Sequence, residues 1–153
     1  MGSRYKNKQG NTSPIFEAVK TTLQDLQAQL QNNKAPWGEM INGNVIITLP
    51  DTILQKVTDP EKVMHMWNLI ISGEMELAQI PQPFYRPQRL VVDEHIGGGF
   101  MHSGYPTRIH HSSSTKLLSA DIIVGPSTLL IPTNCGANWG FFHEIGHNLQ
   151  NLD

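Results

Sequence analysis

The chain has 153 residues, of which 39% are hydrophobic, so it suits one globular domain or part of one and can bury a real core. Its formal charge of -2, from 11 Lys and Arg against 13 Asp and Glu, gives no strong long-range field and argues against nucleic acid as a partner. Cys135 is the only cysteine, which excludes an intramolecular disulfide and favours a reducing compartment, and no apolar run is long enough to predict a transmembrane segment.

The N-terminal part of the chain predicts a disordered tail followed by one helix. Residues 1–12 are polar and show no periodicity, which is typical of a mobile tail. Ser13 fits an N-cap and Pro14 the first helical position, and apolar residues then recur at three- and four-residue spacing. These apolar residues are Ile15, Phe16, Val19, Leu23, Leu26 and Leu30. We therefore predict a helix over residues 13–34.

Residues 44–80 predict a strand and then a long helix. The β-branched run from Asn44 to Leu49 is typical of a buried strand, and residues 51–57 fit a short helical turn. The segment Thr58 to Glu61 combines a capping box with a proline near the first helical position. A helix is therefore predicted to start there, with an apolar stripe that ends before the break at Pro81.

Further strands and one glycine loop are predicted in the second half of the chain. Arg89 to Asp93 reads as a strand, and the run Gly97-Gly98-Gly99 after it reads as a loop or bulge. Strands are also predicted over Tyr105 to Ile109, Asp121 to Val124 and Leu129 to Ile131. The glycine run lacks the Gly-x-Gly-x-x-Gly spacing of a nucleotide-binding turn, so no phosphate site is predicted. The order of the strands in a sheet does not follow from these segments.

The strongest chemical signal is the motif His143-Glu144-Ile145-Gly146-His147. Two histidines four residues apart on a helix lie roughly 40° apart around its axis and about 6 Å along it, so both rings can bind one zinc ion. Glu144 would take a proton from the zinc-bound water as that water attacks a peptide carbonyl, and would pass it to the leaving amine. We predict His143 and His147 as metal ligands and Glu144 as the catalytic base. The alternative is a surface helix that carries two histidines.

The spacing of the motif does not identify a third zinc ligand. In the metzincin pattern this ligand follows the second histidine by six residues, after a turning glycine, and those two positions are Asp153 and Gln150 here. Aspartate can bind zinc, but the turning glycine is absent. Other histidines that could fold back onto the ion are His95, His102, His110 and His111, although the last two read better as an exposed loop pair. With two histidines alone, zinc would be held weakly, and we expect the isolated chain to be catalytically incompetent.

Four segments in order resemble those of one protein family. They are Ala35-Pro36-Trp37-Gly38-Glu39, Pro83-Phe84-Tyr85-Arg86-Pro87-Gln88-Arg89, Met101-His102-Ser103-Gly104-Tyr105-Pro106 and Trp139-Gly140-Phe141-Phe142-His143-Glu144-Ile145-Gly146-His147-Asn148. The family is that of the enhancin-like and mucin-degrading zinc metallopeptidases, peptidase family M sixty. Within it, the chain is most similar to the vertebrate melastatin-channel-associated factors. The resemblance runs from about Ser13 to the end of the chain.

The resemblance implies an α+β fold and a gluzincin-type zinc site. It implies a mixed β-sheet with helices, in which residues 1–12 are a disordered tail, residues 13–34 a linker helix, and residues 35–153 the N-terminal portion of a peptidase-like domain that ends in the zinc-binding helix. His143, Glu144 and His147 match the family's first three site positions, and its third ligand, a glutamate, is expected further downstream. Gly99 to Tyr105 is expected either to line the substrate groove or to be a packing motif of the family.

Two functional classes are consistent with the resemblance. The first is a fragment of a channel-associated factor, whose peptidase-like domain would regulate the surface delivery and activity of a cation channel of the transient-receptor-potential type. The second is a zinc-dependent endopeptidase that acts on proteins or glycoproteins. The intact motif favours retained zinc chemistry, whereas the composition and the subfamily favour the regulatory role. We therefore expect a cytoplasmic protein or one that lies peripherally at the plasma membrane, with enzymatic activity left open.

Overall fold

The computed structural model describes residues 12–119 and 135–150, and the side chains of the last helix from Trp139 onward. Its strands are β1 (Ile15–Glu17), β2 (Trp37–Ile41), β3 (Val45–Pro50), β4 (Gln88–Asp93), β5 (Met101–His102) and β6 (Thr107–His110). They form one sheet in the order β1-β2-β3-β4-β6-β5. β1 is parallel to β2, and β4 is parallel to both β3 and β6, whereas the pairs β2–β3 and β5–β6 are antiparallel. The sheet is therefore mixed, as expected.

The helices are α1 (Leu23–Asn32), α2 (Asp51–Leu54), α3 (Pro60–Leu77), α4 (Ser114–Leu117, after a 3-10 turn at His111–Ser113) and α5 (Cys135–Gln150). Side chains along β3 and β4 alternate between buried and half-buried, so one face of the sheet carries the core. The buried side chains of that face form a single cluster with those of α1, α3 and α5. The combination of a mixed sheet with packed helices confirms the predicted α+β class. Among the described helices, none has the length and apolarity that crossing a bilayer requires.

The structure of residues 13–34 differs from the prediction, which placed one helix over the whole segment. The segment begins instead with β1, and Val19 has φ 69°, in the left-handed region that a helix interior excludes. The helix starts only at Leu23, where Thr22 and Asp25 form a capping box. The prediction was wrong because parallel pairing with β2 buries Phe16 of β1 in the core, which overrides the helical spacing of the apolar residues.

Most of the other predicted elements are confirmed. The strand predicted from Asn44 appears as β3, the short helical turn as α2, and the strands predicted from Arg89 and Tyr105 as β4 and β6. The long helix α3 begins at Pro60, within the predicted start segment, but its capping residue is Asp59 rather than the predicted capping box of Thr58 and Glu61. The tail and the strands predicted beyond residue 120 fall on residues 1–11 and 120–134, outside the described part of the chain. The boundaries of the linker and of the peptidase-like portion stay predictions.

The helix α5 carries the metal motif and is fixed by its apolar side. Phe141, Ile145 and Leu149 recur every four residues and are buried in the core. The ring of Trp67, on α3, meets the ring of Phe141 edge to face with centroids 5.7 Å apart. Gly140 allows β5 to approach the helix, because a Cβ at this position would overlap the methyl group of Met101. This packing turns the opposite side of α5 towards solvent.

Candidate metal centre

The two histidines of α5 point to one place on its exposed side. The Nε2 atoms of His143 and His147 lie 3.0 Å apart, and the ring centroids lie 4.4 Å apart. Two nitrogen ligands on a tetrahedral zinc ion, each at about 2.0–2.1 Å, would be separated by about 3.3 Å. The observed separation is within a few tenths of an ångström of that value. The geometry of the pair therefore fits a single metal ion.

The carboxylate of Glu144 is held by the backbone of the loop that follows β5. The Ser103 N–H donates a hydrogen bond of 2.6 Å to Oε2 of Glu144. A hydrogen bond from an amide to a charged acceptor is shorter and stronger than a neutral one, so it fixes the direction of the carboxylate. Glu144 and His147 thus stand on the same side of α5, next to the β5–β6 loop.

Asn148 fastens this loop to the helix through both ends of its amide. Its Oδ1 accepts a hydrogen bond of 2.6 Å from the Gly104 N–H, and its Nδ2 donates to the Gly104 carbonyl at 3.0 Å and to Thr107 Oγ1 at 2.9 Å. Gly104 has φ 123°, a conformation that only glycine adopts readily. The sequence analysis assigned no role to Asn148. Its position four residues after Glu144 puts it on the same helix face, but no local pattern points to its partners in the loop.

Replacing Asn148 by alanine should release the loop. We expect the free energy of unfolding to fall by about 0.5–1.5 kcal/mol, because the change removes the hydrogen-bond partners of two exposed backbone groups of Gly104. The stability of Asn148→Asp should lie between those of wild type and Asn148→Ala, because aspartate keeps the acceptor oxygen and loses the N–H donors. Urea denaturation measures the loss, and hydrogen exchange at the Gly104 amide should accelerate. Asn32→Ala, at an exposed position of α1, is the control and should change stability by less than about 0.5 kcal/mol.

A cleft of about 430 Å³ opens beside His147. The residues that line it are Phe84, Tyr85, Arg86, Gln88, Ser103, Gly104, Tyr105, His147 and Asn148. Part of the segment expected at a substrate groove, residues 103–105, therefore borders this cleft next to the histidine pair. The use of the cleft by a substrate stays a prediction.

On the other side of the pair lies a mostly apolar depression of about 420 Å³, which includes Glu74, Leu77, Trp139, Phe142 and both histidines in its lining. Both carboxylate oxygens of Glu74 are buried, and within the described part of the chain they have no hydrogen-bond partner. Burial raises the pKa of the Glu74 carboxyl to about 8. The neutral acid is therefore favoured near neutral pH.

Glu74→Gln should stabilise the protein at alkaline pH. The folded-state pKa of about 8 lies above the unfolded value of 4.5, so the folded state binds more protons between these limits. The free energy of unfolding should consequently decrease as the pH rises through this window. With allowance for partial exposure of Glu74, we expect the glutamine variant to be about 1–2 kcal/mol more stable than wild type near pH 8.5 and equal to it below about pH 4.5.

Urea denaturation across this pH range measures the difference. Glu76→Gln, at an exposed position of the same helix, is the matched control and should show no comparable pH-dependent gain. A Glu74→Gln gain that is the same at acidic and alkaline pH would contradict an origin in the carboxyl's ionisation.

No third ligand for the pair is found in the described residues. Over residues 12–119 and 135–150, no group of three or more His, Cys, Asp or Glu side chains could hold a metal ion. His102 instead contacts the Gly98 carbonyl, and His110 Nδ1 lies 2.8 Å from Ser112 Oγ. The structure therefore does not bring His95, His102, His110 or His111 into a metal site with His143 and His147, and Asp153 lies outside the described part.

Comparison with known proteins links this chain to one family. The family model described as "Peptidase M60, enhancin and enhancin-like" matches residues 9–153. Over 138 residues, the chain is 38% identical to "TRPM8 channel-associated factor 2" of Homo sapiens and 36% identical to "TRPM8 channel-associated factor homolog" of Xenopus laevis. Each alignment covers 90% of this chain and 14% of the relative, so the chain spans about one seventh of the relatives' length.

Solved structures share the fold at low sequence identity. A functionally unknown conserved protein from Bacillus anthracis str. Ames is 22% identical, with a TM-score of 0.75 over 92% of this chain and 29% of that chain. The catalytic module of the metalloprotease ZmpA from Clostridium perfringens is 14% identical, with a TM-score of 0.69 over 90% of this chain and 29% of that chain. The sheet and helices described above are therefore similar to those of M60 metallopeptidase catalytic domains.

Proposed function

Because this chain belongs to the peptidase M60, enhancin and enhancin-like family, we propose that it is the metal-binding part of a peptidase-like domain in which His143 and His147 hold one zinc ion. The observation that carries the proposal is the 3.0 Å separation of the two Nε2 atoms. Zinc is the metal of this peptidase family in general. Two histidines alone would bind zinc weakly, so we expect a further ligand from outside the described residues to complete the site.

We infer that the residues around the pair serve the hydrolysis of a peptide bond. Bound zinc would supply an activated water and a polarised carbonyl. The Glu144 carboxylate, oriented by the Ser103 amide, would take a proton from that water and give it to the leaving amine. β5 is the last strand of the described sheet beside this site, and an extended polypeptide can pair with such an edge. The supported activity is therefore endopeptidase action on proteins or glycoproteins.

Zinc retention tests the metal site directly. After zinc loading and dialysis, the full-length protein should retain about one zinc ion per chain by elemental analysis. His143→Gln and His147→Gln should each weaken zinc affinity by about a hundredfold or more. His65→Gln, an exposed histidine of α3, is the matched control and should retain zinc. Equal retention by all four proteins would show that zinc is not held by this pair.

A role at a cation channel is the second candidate, and the relatives favour it. They are named as associated with the TRPM8 channel, and they share 36–38% of aligned residues with this chain. We infer that the whole protein is a channel-associated factor, cytoplasmic or peripheral at the plasma membrane, that regulates surface delivery and activity of such a channel. Co-precipitation of the channel with full-length protein tests this role. Retention of the channel by Glu144→Gln would identify a scaffold, and loss of it would tie association to catalysis.

A further inference from the structure

The cleft beside His147 contains an arginine that aromatic rings hold in place. The Arg86 guanidinium carbon lies 3.8 Å from the ring centroid of Tyr105 and 5.2 Å from that of Tyr85. Tyr85 in turn packs against Phe84, with ring centroids 4.3 Å apart. A guanidinium that stacks on aromatic faces is fixed in its plane while its N–H donors point outward from the edge. Arg86 is therefore positioned to bind a group that enters the cleft.

The surroundings of Arg86 leave its charge for an incoming ligand. None of the residues that line the cleft is acidic, and within the described part of the chain no carboxylate forms an ion pair with Arg86. Arg89, by contrast, is already paired with Glu39 at 2.8 Å on the sheet. A planar guanidinium binds a carboxylate, as it does a phosphate, through two parallel N–H···O hydrogen bonds, which add geometric specificity to the charge attraction.

The position of the cleft links this charge to the proposed chemistry. His147 lines the cleft, and so does Ser103, whose amide holds Glu144. A substrate group bound at Arg86 would therefore lie close to the peptide bond that is cleaved at the histidine pair. We propose that Arg86 is a specificity residue and that the cleft accepts a carboxylate-bearing group of the substrate. This inference rests on the proposed peptidase site, and both an acidic amino-acid side chain and an acidic sugar carry the required carboxylate.

Equilibrium binding tests the inference without any need for turnover. The zinc-loaded full-length protein is titrated with fluorescent peptides that are identical except for one aspartate or asparagine, and with glycopeptides that differ in an acidic or a neutral sugar. Wild type should bind at least one acidic probe about tenfold more tightly than its neutral counterpart. The pair of probes that shows the preference identifies the source of the carboxylate. The preference should weaken as the salt concentration rises.

Three variants assign the preference to Arg86. Arg86→Gln should bind acidic and neutral probes equally, and Arg86→Glu should prefer a probe with lysine at the tested position. Arg108→Gln is the matched control, because this exposed arginine of β6 does not line the cleft, and it should keep the full preference. Circular dichroism of each variant checks that the fold is unchanged.

The outcomes separate this inference from the proposed zinc site. Equal binding of acidic and neutral probes by wild type, or a preference that survives Arg86→Gln, overturns the role of Arg86 and leaves the zinc site standing. Absence of probe binding by protein that retains zinc overturns it as well. If the protein does not retain zinc but still shows an Arg86-dependent preference for acidic probes, the role of Arg86 in the cleft is supported and the metal site is refuted.

Discussion

Replacement of Trp67 by alanine is expected to lower the free energy of unfolding by about 3–5 kcal/mol. Trp67 is 0% exposed, packs edge to face on Phe141, and donates its indole N–H to the Leu117 carbonyl at 2.9 Å. Alanine would leave a cavity between α3 and α5 and would remove the donor for that carbonyl. Because Phe141 precedes His143 by two residues, the cavity should also loosen the helix that carries the proposed metal ligands.

Urea denaturation followed by far-UV circular dichroism measures the loss, and elemental analysis reports zinc retention in the same variants. Trp67→Phe keeps an aromatic ring at this position but removes the N–H donor and part of the ring volume, so a loss of about 1–3 kcal/mol is expected. Leu69→Ala, at a 58% exposed position of the same helix, should change stability by less than about 0.5 kcal/mol. A loss below about 1 kcal/mol for Trp67→Ala would contradict its role as the link between the two helices.

Glu144→Gln is expected to reduce peptide hydrolysis by about 10²–10⁴-fold while zinc stays bound. Glutamine has nearly the same shape and can still accept the Ser103 amide hydrogen bond, so the loop should stay in place. It cannot take up a proton as a carboxylate does, which removes the proposed base. The histidine pair is unchanged by the substitution, so a selective loss of hydrolysis would separate catalysis from metal binding.

The assay compares zinc-loaded full-length wild type and variant on a mucin-type glycoprotein and on an unglycosylated protein. Glu94→Gln, an exposed glutamate in the loop after β4, is the matched control and should keep full activity. Hydrolysis that persists in Glu144→Gln would exclude Glu144 as the base. Failure of the zinc-loaded wild type to cleave either substrate would remove the endopeptidase proposal and leave the channel-associated role.

The elements that the sequence predicted well are those with long and consistent patterns. The helix α3 has 18 residues, a capping aspartate and a continuous apolar stripe, so its local signal agrees with its burial. The strand β1 has three residues and β5 has two, which is too short for an alternating pattern to stand out. The helix from Ser13 was wrongly predicted because β1 is too short to show a strand pattern. Its position depends on pairing with β2, which lies farther along the chain.

The same distinction applies to the candidate site. The spacing of His143 and His147 is local, and the prediction that their motif lies on a helix is confirmed by α5. The bonds of Glu144 and Asn148 to the β5–β6 loop join residues 41 and 44 positions apart in sequence, so no local pattern reveals them. The stacking of Arg86 on Tyr105 likewise depends on how two loops meet. The helix that brings His143 and His147 together was therefore predictable, whereas the residues that orient Glu144 and shape the cleft were not.

The order of strands has a practical consequence for the experiments above. β1 is at one edge of the described sheet and β5 at the other, and five steps of about 4.8 Å between neighbouring strands separate them by about 24 Å. β1 begins at Ile15, whereas the cleft opens beside β5. A surface tether or fluorescent label attached at the β1 edge would be joined to the fold across the sheet from the histidine pair. Immobilised protein should thus present its cleft to substrates in solution.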